Sequence, residues 1–283
     1  MFGERLKLAR KKAGLSLRDL SEKMDGEVSA QAISKYERGL MLPNSSVLTQ
    51  LCKVLEVSQG FFMSPMKLRL SGVEFRKHSQ TKAREQAYVE SQVVDLAEKY
   101  LTIEKIVGAE PKNLWEELAR KLKDDNEEIE ELAEDCRRAW NLGNDPIPNM
   151  TELLEDLGIK VLMVDSERVS GLTAMLEYGD NGMKVPVVVV SRKHGLERRR
   201  FTLAHELGHR LILKGSNVQD YERASDRFAS ALLVSRSHLV TEVGERRTAI
   251  SLPELFDLKR FYRVSAKALV RRFRDLEIIN DIT

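Results

Sequence analysis

Residues 201–209 read FTLAHELGH, and within them His205-Glu206-Leu207-Gly208-His209 is an HExxH motif. On an α-helix, residues four apart share a face, so His205 and His209 can offer two imidazole nitrogens to one tetrahedral zinc ion. Glu206 sits about 100° round the helix from His205, near enough to address a water at that ion without being a ligand. The arrangement points to metal-assisted hydrolysis, with Glu206 as the candidate catalytic residue. HExxH alone also fits an ordinary amphipathic helix whose two histidines are satisfied in the core. The flanks FTLA and RLIL are apolar, however, and burying two histidines and a carboxylate without partners is expensive. The chain holds only five histidines in all.

Downstream, after the break Lys214-Gly215-Ser216-Asn217, the run YERASDRFASALL sets Glu222 and Asp226 four apart on a second helix with Ala224, Phe228, Ala231 and Leu232 on its apolar positions. Glu222 completes a set of three protein ligands for Zn2+ with His205 and His209 and leaves the fourth position to water. Asp226 can bond the other ring nitrogen of a ligand histidine and fix its tautomer. Upstream, a helix TELLEDLG leads into strand-like IKVLMVD (159–165), LTAMLEY (172–178), a turn at Gly179-Asp180-Asn181-Gly182, and VPVVVVS (185–191). A small sheet is therefore expected directly before the HExxH helix, and its edge can hold an extended peptide by strand addition.

The first 65 residues have a different character. Apolar periodicity predicts five short helices over 3–13, 16–24, 29–37, 44–56 and 58–63, with Gly14 closing the first, Ser16 and Ser29 capping the second and third, and Gly39 and Pro43 preceding the fourth. A five-helix bundle with a short turn at Asp25-Gly26-Glu27-Val28 is a helix-turn-helix candidate. GLSLRDLSEKM…VSAQAISKYERGLMLP closely resembles the XRE (Cro/C1-type) DNA-binding domains over residues 3–63. That resemblance implies that helix 29–37 reads the major groove of double-stranded operator DNA through Ser29, Ala30, Gln31, Ser34 and Lys35, with Gln31 suited to bidentate reading of adenine. Arg18, Arg38, Asn44 and Ser45, at the ends of flanking helices, are candidate phosphate contacts. A basic helical bundle can equally be a protein-binding adaptor with solvated charges. The modest charge of the reading helix predicts moderate affinity per subunit and dependence on dimerisation.

Residues 66–124 read as a helical connector without strand-like alternation. Val89, Val93, Leu96, Tyr100, Ile103 and Val107 recur at spacings of four and three, a heptad-like seam that either pairs two protomers or packs on this chain's own second domain. A further helix is expected through Leu114, Trp115, Leu118 and Leu122. The acids of DDNEEIEELAEDCRRAW crowd its first turns, where the helix dipole favours them.

Residues 125–283 are similar to the ImmA/IrrE family of zinc metallopeptidases, on AEDCRRAWNLGNDPIPNMTELLEDLGIKV, RRRFTLAHELGHRLIL, the ERASDRFASALLV helix and the closing RVSAKALVRRF. The chain departs from the family pattern at Leu232-Leu233-Val234-Ser235, where an LLMP-like run is usual, and at Ser225, where a small apolar residue is common. The resemblance implies an α+β fold with a zincin-like C-terminal domain, and cleavage of a repressor or regulation of a neighbouring gene.

Composition agrees with a soluble chain of two kinds of module. Net charge is +2, distributed as +5 over residues 1–70, −6 over 71–145 and +3 over 146–283. Met1 leads directly into GERLKLARKK without a signal-peptide core, and no apolar stretch approaches the ~18 residues of a membrane span, so a cytoplasmic protein without membrane contact is expected. Cys52 and Cys136 lie in helical patterns without metal or redox spacing and read as structural thiols. His194, His238, Tyr178 and Tyr221 are weak candidates for steadying an oxyanion, and Lys267, Arg271 and Arg274 form a basic face on the last helix whose default reading is solvation. Two functions remain open. One is a DNA-binding regulator carrying a zinc peptidase that acts on itself or on a partner repressor. The other is an XRE-family antitoxin or repressor whose peptidase-like domain binds a toxin or ligand with little turnover.

Overall fold

A computed structural model describes residues 2–63, 68–75, 83–109, 112–123, 126–166, 171–178, 182–218 and 220–279. Among the described residues there are thirteen α-helices and four strands, an α+β architecture. The chain divides into two compact units. One comprises Met1–Val73, Lys77–Ala109 and Ala174–Val185, the other Glu74–Arg76, Glu110–Thr173 and Pro186–Thr283.

The first unit opens with the five expected helices, α1 (Phe2–Lys12), α2 (Leu17–Lys23), α3 (Ala30–Glu37), α4 (Ser45–Leu55) and α5 (Gln59–Met63). Their starts are set chemically. Ser16 and Asp19 form a reciprocal capping box, Ser29 Oγ accepts from the Ala32 amide, and Asn44 Oδ1 accepts from the Val47 amide. Leu6, Leu20, Ile33, Leu51 and Phe62 make the core. Gly3 lets α1 approach the end of α3 so closely that any Cβ would collide with the Tyr36 and Glu37 carbonyls.

Helix α6 (Ala83–Val107) packs against α1. Val89 and Val93 of the heptad-like seam are buried there, Leu96 and Tyr100 are half-buried, and Ile103 and Val107 are exposed. The seam is thus spent in its first half on the five-helix bundle. Polar pairs flank the contact: Arg5, 1 % exposed, donates through Nη1 to Glu98 at 2.6 Å and lies 5.0 Å over the Phe61 ring, and Asp95 takes Lys12 at 2.8 Å and Lys99 at 2.9 Å.

Two expectations for the connector are corrected. Leu68–Phe75 is a strand, β1, where no strand was expected, because its alternation is short and interrupted by Gly72. Beyond residue 111 the chain makes only a single 3₁₀ turn, Glu116–Leu118, before running extended, with Arg120 bridging in parallel to Ile212. Leu114, Trp115, Leu118 and Leu122 have helical spacing, but backbone bonds from Leu114 N to Leu157 O and from Arg120 N to Leu211 O replace the helix.

The second unit contains α7 (Glu127–Ala139), α8 (Met150–Asp156), β2 (Lys160–Val164), α9 (Leu196–Leu211), α10 (Tyr221–Leu233), α11 (Arg236–Val243), α12 (Leu252–Tyr262) and α13 (Ala266–Asp275). Strands β3 (Gly171–Tyr178) and β4 (Met183–Ser191) are shared between the units by residue, and the sheet order is β1-β3-β4-β2. Residues 179–181 of the expected turn lie outside the described residues. β2 runs parallel to β4 with Val161 opposite Val188 and Met163 opposite Val190. Helices α9 and α10 pack tightly together, and α10 also packs on α7. The acids of α7 are not all explained by its dipole: Glu130 is buried and receives Arg272 of α13 at 2.6 Å and Arg227 of α10 at 3.1 Å.

Candidate metal centre and nucleic-acid interface

Helix α9 begins at Gly195 and carries a face too apolar to leave the core, so its motif is buried with it: Leu203, Ala204 and Leu207 pack inside, and His205 is 0 % exposed. Asp220 caps α10 through the amides of Glu222 and Arg223, which fixes where Glu222 starts its turn. Gly208 brings the two helices together. A Cβ there would lie 3.2 Å from Ser225 Cα and 3.1 Å from the Phe228 ring.

That approach brings His205, His209 and Glu222 together, the one group of metal-ligating side chains among the described residues. His205 Nε2 and His209 Nε2 are 3.0 Å apart, and they lie 3.4 Å from Glu222 Oε2 and Oε1 respectively. A tetrahedral ion with ~2.0–2.1 Å bonds holds its ligand atoms about 3.3 Å apart, so these spacings fit such an ion. The opposite ring nitrogens are held as well. His205 Nδ1 is 2.7 Å from Asp226 Oδ1, and His209 Nδ1 is 3.3 Å from Ser225 Oγ. With the Nδ1 proton of His205 given to Asp226, its Nε2 turns a lone pair toward the other two groups, and a cation is what such a convergence of acceptors suits.

Glu206 is buried on the next position of α9, and the start of β3 lies against it: a Cβ on Gly171 would be 3.1 Å from Glu206 Oε1 and would collide with Thr202. β3 is an inner strand flanked by β1 and β4, so the edge strands of this sheet are β1 and β2.

The secondary candidates have other employment. His238 is bonded through Nδ1 to the Tyr262 hydroxyl at 2.6 Å and stacks on Phe261, and burial pushes the Tyr262 phenol upward. The Tyr221 hydroxyl accepts from the Gly215 amide at 2.7 Å and staples the 213–216 loop. The Tyr178 hydroxyl contacts Met183 Sδ at 2.9 Å. His194 is half-buried in the loop before α9. The role of Ser225 escaped the sequence reading, because a hydroxyl on the neighbouring helix shows no spacing signal relative to His209.

In the first unit, α3 turns Ile33 and Tyr36 into the core and leaves Ser29, Gln31 and Lys35 exposed, with Ala30 and Ser34 half-buried. Arg10 of α1 clamps the end of this helix, donating from Nε and Nη2 to the two Glu37 carboxylate oxygens at 2.6 and 2.9 Å. Arg18, Arg38, Asn44 and Ser45 are exposed. Arg38 Nε turns back to Ser34 O at 3.3 Å, and Asn44 spends its carbonyl on the α4 cap, which leaves its amide group for another partner.

Fold and side-chain geometry define the class: a helix-turn-helix bundle joined to a mixed-sheet domain with a His/His/Glu group on adjacent helices. Residues 6–59 match a family model described as helix-turn-helix, and residues 154–274 match the IrrE N-terminal-like domain. No curated protein matches the chain. The chain thus fuses an XRE-type helix-turn-helix domain to an ImmA/IrrE-type metallopeptidase-family domain. Among the described residues no helix is long and apolar enough to cross a membrane.

Proposed function

We propose that this protein is a DNA-binding transcriptional regulator whose second unit is a zinc metallopeptidase, hydrolysing a peptide bond in a partner repressor or in itself. The observation that supports the reading is the convergence of His205 Nε2, His209 Nε2 and the Glu222 carboxylate on one point. These three residues would hold the ion. Zinc, when bound, supplies Lewis-acid polarisation of a carbonyl and lowers the pKa of a water at the site. Asp226 and Ser225 orient the two imidazoles from behind. Glu206 accepts the proton of the attacking water and returns it to the leaving amine. Gly171, lacking a side chain, keeps the β3 backbone close to that carboxylate.

Ser29, Ala30, Gln31, Ser34 and Lys35 read an operator while Arg18, Arg38, Asn44 and Ser45 hold its phosphates, and a homodimer makes up the affinity that one weakly charged helix lacks. A regulator of this kind meets its operator in the cytoplasm.

Glu206→Gln tests the reading. The variant retains its zinc, loses hydrolysis, traps its substrate for identification by mass spectrometry, and loses control of its promoter. Unaltered promoter control by Glu206→Gln would make proteolysis dispensable and leave an antitoxin or repressor whose peptidase-like domain binds a toxin or ligand.

A further inference from the structure

Arg200 is 4 % exposed, yet among the described residues no carboxylate lies within ion-pair distance of it. A guanidinium keeps its charge in any protein environment, and burying one unpaired costs several kcal/mol. Arg200 receives only partial compensation, donating to Ile147 O at 2.7 Å and Pro148 O at 3.2 Å, while its Nε is buried with no hydrogen-bond partner. Burial, and then the charge of Arg263, both push it toward losing its proton.

These two arginines share a cavity of about 280 Å³ with a third, Arg199, whose Nε is likewise buried and unbonded. Arg263 also donates to Pro148 O, at 3.3 Å, so two like charges crowd one carbonyl. No acidic side chain lines the cavity. The rest of the wall is largely apolar, with Met163, Val190 and Leu203 among its members. None of His205, His209 and Glu222 lines it. A structural clamp on the 147–148 segment would explain the two bonds made by Arg200, but not why Arg199 and Arg263 line the same space.

We propose that this cavity is a binding site for a small organic oxyanion, a carboxylate or phosphate group on a short apolar body. The guanidiniums of Arg199, Arg200 and Arg263 take the oxyanion, which supplies the missing negative charge. Met163, Val190 and Leu203 take the apolar part. The volume falls just below the ~300–1,000 Å³ of drug-sized ligand sites, which restricts the occupant to a small molecule. Arg199 and Arg200 lie on the first turns of the helix that carries the HExxH motif, and Arg263 caps α12, so an occupant ties those two helices together.

The test is thermal unfolding of the full chain with sodium phosphate, sodium butyrate or butylammonium chloride, each against sodium chloride of equal ionic strength. A probe at about ten times its Kd raises Tm by about 3–5 °C. Phosphate, butyrate or both are expected to do so and butylammonium to do nothing. Which anion acts separates a phosphate ligand from a carboxylate. Arg199→Met with Arg263→Met is expected to abolish the rise, and Arg263→Met alone, at an exposed residue, to shrink it without lowering the Tm measured in chloride. No rise with either anion, a rise that survives in the Arg263→Met and double variants, or an equal rise with butylammonium would overturn the proposal.

Discussion

Gly208 and Ser225 meet across α9 and α10 with no room for a side chain on the glycine: an added Cβ would lie 3.2 Å from both Cα and Cβ of the serine. The contact sets the distance between the helix holding two imidazoles and the helix holding their carboxylate. In Gly208→Ala, helix propensity gains about 1 kcal/mol, while overpacking against backbone and the Phe228 ring costs roughly 1–3 kcal/mol. The net loss of stability is therefore between about 0 and 2 kcal/mol. The displacement of α10 is not small for the metal group, and zinc affinity should fall at least tenfold in a chelator-competition titration. Unchanged affinity would mean that α10 absorbs the methyl without moving Glu222.

Asp226 holds His205 at Nδ1, 2.7 Å away, on the side of the ring opposite the metal group. Asp226→Asn keeps size and removes the charge that fixes the tautomer, so metal affinity is expected to drop by about 10–100-fold. Ser225→Ala removes the weaker 3.3 Å bond to His209 and should cost less than Asp226→Asn. The order of the two losses, read in the same competition titration, is the check, and the reverse order would contradict the geometry.

Much of this was legible in sequence because it is local. HExxH and the Glu222–Asp226 pair are four-residue spacings on single helices, and the bundle was readable from Ser16 and Ser29, which do cap their helices. What was illegible depends on distant partners. Leu68 and Leu70 form a strand only because β3 offers an edge, and Trp115 and Leu118, spaced like a helix, sit in a chain that bonds sideways to Leu157 and Leu211 instead. Arg200 and Arg272 look like solvated charges in their helices, and only the packed fold shows both buried, one with Glu130 and the other without an acid.

On the DNA-binding unit, Gln31 and Lys35 are both exposed on α3 but should fail differently when removed. Gln31→Ala is expected to cost about 1–3 kcal/mol of operator binding and to relax preference at one base pair. Lys35→Ala should reduce the slope of log affinity against log salt by about 1 if it meets a phosphate, and leave it unchanged if it reads a base. Gel shifts at several salt concentrations separate these outcomes, and wild-type binding by the double variant would remove α3 as the reading helix.

The contact between α1 and α6 should carry its own pH signature through Asp95. Burial pushes this carboxyl upward, but the hydrogen bonds and charges of Lys12 and Lys99 together outweigh it, and its pKa is lowered. A carboxylate whose folded pKa lies below its unfolded value of about 3.9 contributes stability that is fully present above the unfolded value and disappears as pH falls through the folded one. Both lysines are partly exposed, so the pairs are screened, and Asp95→Asn should cost about 1 kcal/mol at pH 7 and low salt. That difference should hold from pH 7 to about 5 and shrink below about pH 4 as the parent carboxylate protonates. Denaturant unfolding of parent and variant across this range reads it directly, and a gap that widened on acidification would show that Asp95 is held by something other than its two lysines.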